Sequence, residues 1–117
     1  MAPSIRETIL AAVDVQTQEV TVPEWNVTVK VRGMTGAERA KFINDAGNDK
    51  GGIDPVRGYP SLVIQSAFDP ATDEPIFTAA DRDALMTKSG KAIDRVADVA
   101  LVLSGLTPEA KDKAEKS

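Results

Sequence analysis

The sequence contains no cysteine and no histidine among its 117 residues. These two absences exclude disulfide frameworks, thiol nucleophiles, Ser–His and Cys–His catalysis, and nearly all protein zinc sites. The lack of cysteine, together with the lack of a secretory apolar segment near the N-terminus, favours a cytoplasmic protein. Because no apolar run approaches the roughly 20 residues that a membrane span needs, we expect no membrane association.

Aromatic residues and clusters of basic charge are also scarce. Aromatic residues make up 4% of the chain, and the single tryptophan is Trp25. The formal net charge is -4 and the basic side chains are interspersed with acidic ones, so we expect no binding to nucleic acid. A chain of this length forms one modest core. We predict a single domain over residues 1–106, followed by a polar tail over residues 107–117.

Valines alternate with polar residues from Gln18 to Arg32, interrupted by the segment 23–26. This period of two around a turn predicts a β-hairpin whose valines form one buried face. Trp25 at the turn either packs over the end of the core or serves as a contact for a partner. The apolar run over residues 59–68 is too short to separate a strand from a helix, and Pro60 makes us favour a strand that begins there or lies at a sheet edge.

Three other segments carry helix signals. Residues 3–14 and 35–46 each begin with a serine or threonine three residues before a glutamate, which is a capping box. The stretch 78–105 is predicted to form one long helix, with a threonine cap at its start and a glycine at its end. A glycine-rich loop is expected from residue 47 to about residue 58. The predicted fold class is α+β: an N-terminal β-hairpin with a candidate third strand, packed with short helices and one long C-terminal helix.

No group of residues carries a catalytic or metal-binding signature. The glycine-rich segment 47–52 is followed by Ile53-Asp54, and not by the Lys-Ser or Lys-Thr of a phosphate-binding loop. Lys50 lies where a calcium-binding loop needs its glycine, and the acidic residues of segment 69–74 are explained by turn chemistry. We therefore predict that the protein is not an enzyme, binds no metal and needs no cofactor.

Apolar surface is the remaining functional signal. The last turns of the predicted C-terminal helix are apolar on every side, and the N-terminal helix is amphipathic but too short to be stable alone in water. These patches either pack on each other as the core or leave a groove for an amphipathic helix of a partner or for another copy of the chain. The candidate protein-binding residues are Ile9, Leu10, Val13, Trp25, Val99, Leu101, Val102 and Leu103.

Several short segments occur in a characteristic order along nearly the whole chain: Ser4-Ile5-Arg6, Ile9 to Ala12, Val22 to Val27, Val31 to Arg39, Asp69-Pro70, Ile76-Phe77-Thr78, Lys88-Ser89 and Leu103 to Leu106. Their order and spacing resemble the tail assembly chaperones of long-tailed siphophages, in the short, non-frameshifted form. The chain departs from that pattern after Asp69, where relatives often have Asp-Gly-type turns and this chain has Ala71-Thr72-Asp73-Glu74.

The resemblance implies a non-enzymatic chaperone of the host cell cytoplasm. Such a protein binds the tape measure protein, keeps it soluble, helps to recruit tail tube subunits during tail morphogenesis, and is absent from the mature virion. The resemblance also implies a longer form, made by ribosomal frameshift, through which the tail tube protein is engaged. A homo-oligomer is a further expected state, and the alternative is a structural virion protein such as a tail or head–tail connector subunit. The family pattern assigns no contact residues, so the candidates above rest on apolarity alone.

Overall fold

A computed structural model describes residues 2–47 and 54–106. Within these ranges the chain forms five α-helices and a three-stranded antiparallel sheet, which confirms the predicted α+β class. The predicted polar tail and residues 48–53 of the predicted glycine-rich loop lie outside the described residues. In chain order the elements are α1 (Ile5–Ala11), β1 (Thr17–Val22), β2 (Val27–Arg32), α2 (Gly36–Ala46), α3 (Pro55–Ser66), β3 (Ala67–Phe68), α4 (Arg82–Leu85) and α5 (Gly90–Leu103).

The predicted β-hairpin is confirmed. β1 and β2 pair antiparallel along their whole length, with Val22 opposite Val27 at the turn end. Between them Pro23–Trp25 form a 3-10 turn, and Asn26 adopts the left-handed conformation with a φ of 54°. Because the valines of both strands alternate in phase, they share one face of the sheet. Three of them are buried in the core: Val22, Val29 and Val31.

Both predicted short helices are present, and each begins directly after its predicted capping residue. Ser4 Oγ accepts a hydrogen bond from Glu7 N at 3.1 Å at the start of α1. At the start of α2, Glu38 N donates to Thr35 Oγ1 at 3.2 Å and Thr35 N donates to Glu38 Oε1 at 2.9 Å, which is a complete capping box. α2 buries Phe42 in the core, whereas α1 buries none of its residues.

The segment 59–68 differs from its prediction. The candidate third strand exists, since β3 pairs with β2, but it is only the two residues Ala67–Phe68. The rest of the segment belongs to α3, so the strand prediction for residues 59–66 is wrong, as is the loop prediction for residues 55–58. Pro60 lies inside this helix and does not mark a strand start. Four of the buried residues of α3 recur at three- and one-residue steps, which is a helical spacing: Tyr59, Leu62, Val63 and Ser66.

The long C-terminal helix is present, but it is shorter than predicted. The stretch 78–105 divides into a 3-10 turn at Ala79–Asp81, the four-residue α4, and the 14-residue α5. Ser89 caps α5, since its Oγ accepts a hydrogen bond from the backbone amide of Ala92 at 3.3 Å. The prediction of one continuous helix is wrong because Ser89-Gly90 supplies a cap followed by a poor helix former.

α5 ends as predicted and forms the centre of the core. Gly105 adopts a φ of 79°, and Leu106 N donates to Leu101 O at 2.8 Å while Gly105 N donates to Val102 O at 3.1 Å. These bonds are those of a Schellman motif. α5 packs on α3 and on both strands of the hairpin. Its buried residues are Ala92, Ile93, Val96, Ala97, Ala100 and Leu101.

Candidate partner-binding surfaces

The N-terminal segment 5–13, which we call the arm, is exposed throughout. It comprises α1 and the two residues after it, and its predicted contact residues Ile9, Leu10 and Val13 are all exposed, Val13 to 99%. The chain rejoins the sheet at Gln16, whose carbonyl accepts a hydrogen bond at 2.9 Å from the backbone amide that follows β2. A helix of seven residues is marginal alone in water, so the arm needs a second surface to be stable.

The four predicted contact residues in the last turns of α5 differ in their exposure to solvent. Leu101 has no exposed surface, whereas the adjacent Val102 is 58% exposed. Val99 and Leu103 are half-buried against the core. One side of these turns therefore remains open in a single copy of the chain. Leu101 stabilises the core in this structure and offers no surface to a partner.

The exposed Val102 and the half-buried Val99 form the apolar part of α5 that the core leaves uncovered, which we call the lateral patch. They line a shallow cleft of about 250 Å³ together with Gln18 of β1 and Asp98 of α5. The Asp98 carboxylate accepts a hydrogen bond at 2.9 Å from the buried Tyr59, so its orientation is fixed by the core. The lateral patch is thus an apolar strip on a rigid helix, held beside the first strand.

A larger apolar concavity, which we call the groove, lies at the turn end of the hairpin. Two adjoining cavities of about 470 Å³ and 440 Å³ share four side chains of this region. Val27 and Ile76 are exposed in it, although both are apolar. Asp81 and Lys88 are charged members of the lining. The apolar lining residues are Trp25, Val27, Ile76, Phe77, Ala84 and Leu85.

Trp25 combines the two roles that its sequence position left open. It packs against the core and is only half-buried, so one part of the indole also lines the groove. The turn that carries it is fixed to α5, because Arg95 Nε donates to the two Glu24 carboxylate oxygens at 3.0 Å and 3.2 Å. A backbone amide hydrogen bond, assisted by Arg95, holds the pKa of Glu24 below its ordinary value. This ion pair joins the hairpin side of the groove to α5.

The acidic side chains of the 69–74 turn are engaged in contacts that shape the turn. Asp69 Oδ1 accepts a hydrogen bond from Ala71 N at 2.8 Å, and Asp73 Oδ1 accepts one from Lys30 Nζ at 2.6 Å. Asp73 has a φ of 61°, the conformation that glycine would take in an Asp-Gly-type turn. Over residues 2–47 and 54–106 no group of three or more acidic side chains could hold a metal ion. No helix within the same ranges is long and apolar enough to cross a membrane.

The sequence matches a family model, described as phage tail assembly chaperone, over residues 4–116. The chain belongs to this family. The solved structure of the bacteriophage HK97 tail assembly chaperone is similar to this chaperone with a TM-score of 0.56 and 20% sequence identity, covering 84% of this chain and 91% of that chain. At that identity the likeness shows a shared fold. A comparison with curated proteins gives no match.

Membership of the tail assembly chaperones confirms the family resemblance and implies a non-enzymatic role. The surfaces of this chaperone fit that role, because the groove and the lateral patch offer apolar contact area. In the groove the Asp81 carboxylate already accepts a hydrogen bond from Thr78 N at 2.8 Å. A helix of a partner can lay an apolar face on such surfaces.

Sequence reasoning identified the arm, Trp25 and the lateral patch of this chaperone, but it missed the rest of the groove. The missed residues come from β2, from the segment after the 69–75 turn, and from α4, which are distant in sequence. The apolar pair Ile76-Phe77, which follows a polar turn without belonging to a strand or helix, is the one local signal of the groove.

Proposed function

We propose that this chaperone binds the tape measure protein of its own phage, keeps it soluble and helps to recruit tail tube subunits during tail morphogenesis. The family match over residues 4–116 carries the proposal. The family resemblance implies that the tape measure protein is long, helical and prone to aggregate, so it would expose apolar stripes along its helices. A chaperone for such a partner needs apolar contact surface and no reactive group.

The lateral patch is the surface that we assign to the tape measure protein. Val102 is 58% exposed on a helix whose opposite side is fully buried, so it can be covered without any rearrangement of the core. Val102 is already partly buried, so covering the exposed 58% of its side chain contributes about 1 to 2 kcal/mol before the costs of association are subtracted. Several copies along one partner are therefore needed to shield it. The net charge of -4 then keeps the coated complex soluble.

Co-expression with the tape measure protein of the same genome tests the proposal. The measurement is the fraction of the tape measure protein that stays in the supernatant after lysis and centrifugation. We expect that fraction to rise several-fold when this chaperone is present, and to stay unchanged when an unrelated protein of similar size replaces it. If the tape measure protein is equally insoluble in both cases, the proposal is wrong.

The proposal also places the chaperone in the host cell cytoplasm and outside the mature virion. Mass spectrometry of purified particles tests this, because a chaperone that leaves during assembly should be missing from them. Its presence at a fixed ratio to the tail tube protein would instead indicate a structural virion protein, such as a tail or head–tail connector subunit.

A longer form made by ribosomal frameshift completes the proposal, since the family resemblance implies that the tail tube protein is engaged through it. The codons for residues 107–117 are the place to look for a slippery heptamer. A heptamer there, together with a larger product in infected cells, is the expected result. A coding sequence without one, and a single product in infected cells, would contradict the two-form scheme.

A further inference from the structure

Asp98 places a carboxylate at the rim of the apolar cleft beside the lateral patch. It lines this cleft of about 250 Å³ together with Val99, Val102 and Gln18. Within α5, Asp98 precedes Val102 by four positions and Val99 precedes it by three, so the three side chains lie along one side of the helix. A partner that covers the lateral patch therefore also meets the Asp98 carboxylate.

One oxygen of this carboxylate is engaged and the other is available. The hydroxyl of Tyr59, which is 2% exposed, donates to Asp98 Oδ1 at 2.9 Å. Over residues 2–47 and 54–106, Asp98 Oδ2 accepts no hydrogen bond and forms no ion pair. Arg95, one turn earlier on α5, donates its Nε–H to the two carboxylate oxygens of Glu24. The negative charge of Asp98 is thus held in a fixed orientation and is not neutralised by a basic side chain of these ranges.

The hydrogen bond from Tyr59 does not by itself require a carboxylate, because a neutral amide oxygen accepts a hydroxyl equally well. A carboxylate has a cost in the same place when a partner covers it. An apolar partner surface would remove water from Asp98 Oδ2 and leave the charge unpaired, which opposes binding. A basic side chain on the partner replaces the lost water with a charge-assisted hydrogen bond. The charge at Asp98 therefore favours a partner that brings a cation to the rim of the cleft.

The size of the cleft and the spacing of its lining describe that partner further. Its volume of about 250 Å³ is below the roughly 300 to 1,000 Å³ of small-molecule sites, so it suits a side chain of a larger partner. On a helix, side chains three or four positions apart lie on the same side, one turn from each other. A helix that lies along α5 with one apolar side chain against Val99 and Val102 can place a second side chain, one turn away, at Asp98.

We propose that Asp98 determines which helices of the tape measure protein bind the lateral patch. Such a helix places a lysine or arginine at Asp98 Oδ2 and, three or four positions away, an apolar side chain against Val99 and Val102. Helices that carry an acidic residue at that position are rejected by repulsion between like charges. The inference rests on the proposed function and adds to it the charge that a recognised segment must carry.

Asp98→Asn tests the inference, because the amide oxygen can still accept from Tyr59 while the charge is lost. Asp83→Asn, at an exposed position of α4, is the matched control, since each variant changes the net charge from -4 to -3. Each tagged chaperone is co-expressed with the tape measure protein of the same genome, and the purified complex is diluted until half of that protein has dissociated. We expect Asp98→Asn to lower the apparent affinity at least about fivefold, the ratio given by about 1 kcal/mol, and Asp83→Asn to leave it unchanged.

Salt dependence gives a second measurement that needs no variant. Raising sodium chloride from about 0.1 M to about 1 M shortens the screening length from about 10 Å to about 3 Å, so the affinity of the natural chain should fall and approach that of Asp98→Asn. A natural complex that is insensitive to salt would overturn the inference. So would a folded Asp98→Asn variant that binds as tightly as the natural chain, or an Asp83→Asn variant that weakens binding equally, and both results leave the proposed function standing. If the natural chain retains no tape measure protein at all, the proposed function is itself wrong and the inference falls with it.

Discussion

Leu101 and Val102 are neighbours on α5 that should respond in opposite ways to the same truncation. Leu101 has no exposed surface and Val102 is 58% exposed. Leu101→Ala removes buried methyl groups and leaves a cavity between α5 and its neighbours, so we expect a loss of about 3 kcal/mol in the free energy of unfolding, inside the range of about 2 to 5 kcal/mol for such changes. Val102→Ala removes methyl groups that are already largely in water, and alanine is the better helix former, so its effect should stay within about 0.5 kcal/mol.

Urea titration followed by far-ultraviolet circular dichroism measures both changes. The midpoint should fall for Leu101→Ala while the slope of free energy against urea stays constant, because the same surface is exposed on unfolding. In a thermal scan the same loss corresponds to a decrease in Tm of about 10 °C for a chain of this size. If Val102→Ala costs as much as Leu101→Ala, α5 is rotated differently about its axis, and the lateral patch is not an exposed surface.

Three further predictions follow from close contacts elsewhere in the chaperone. A Cβ on Gly33 would lie 2.8 Å from the Leu103 carbonyl oxygen, whereas one on Gly36 would meet nothing within 4 Å. Gly33→Ala should therefore cost about 1 to 3 kcal/mol in chemical denaturation, and Gly36→Ala should cost nothing or add a few tenths. Ser104 Oγ accepts a hydrogen bond from the backbone amide of Met34 at 2.8 Å. Ser104→Ala should therefore lower the free energy of unfolding by about 1 to 2 kcal/mol in the same assay. Arg95→Gln should raise the pKa of Glu24 toward 4.5 in an NMR titration, because it removes one of the groups that lower it. The pKa of Glu24 is lower in the folded chain than in the unfolded chain. The contribution of Glu24 to stability is therefore present above the unfolded pKa and is lost as pH falls through the folded pKa. Arg95→Gln should make this pH-dependent loss of stability smaller.

The elements that local sequence pattern could predict are those stabilised mainly by their own neighbours along the chain. The hairpin follows from alternating valines around the segment 23–26, and α2 follows from the capping box formed by Thr35 and Glu38. The Schellman motif at Gly105 also depends on residues within a few positions of each other. In each case the residues that determine the structure are close in sequence, so one sequence is sufficient to identify them.

The errors occurred where an isolated signal outweighed the spacing of the apolar residues. Pro60 favoured a strand, but the helical spacing of Tyr59, Leu62 and Val63 against α5 decides in favour of α3. A proline inside a helix is costly in isolation, and here the burial of that face compensates for it. In the stretch 78–105 the apolar spacing continues across two separate helices, so it gave no indication of the break before Gly90.

The candidate site was predictable only where its residues are close to each other in sequence. The arm could be found from sequence because it is a local amphipathic segment, and Val102 because it belongs to an apolar run. Which side of that run is exposed depends on how α5 packs on the sheet and on α3, and sequence alone did not separate Leu101 from Val102. The groove is assembled from three distant segments, so its apolar lining has no common sequence signal.

The central claim is that exposed apolar side chains on α5 shield the tape measure protein, and one co-expression measurement tests it most directly. Val102→Asp places a charge in the lateral patch, and Ala40→Asp places the same charge on an exposed position of α2 as the matched control. Both variants should keep the circular dichroism spectrum and the Tm of the natural chain to within a few degrees. We predict that the tape measure protein stays soluble with the natural chain and with Ala40→Asp, and that its soluble fraction falls several-fold with Val102→Asp. A folded Val102→Asp variant that keeps the tape measure protein as soluble as the natural chain does would contradict the claim.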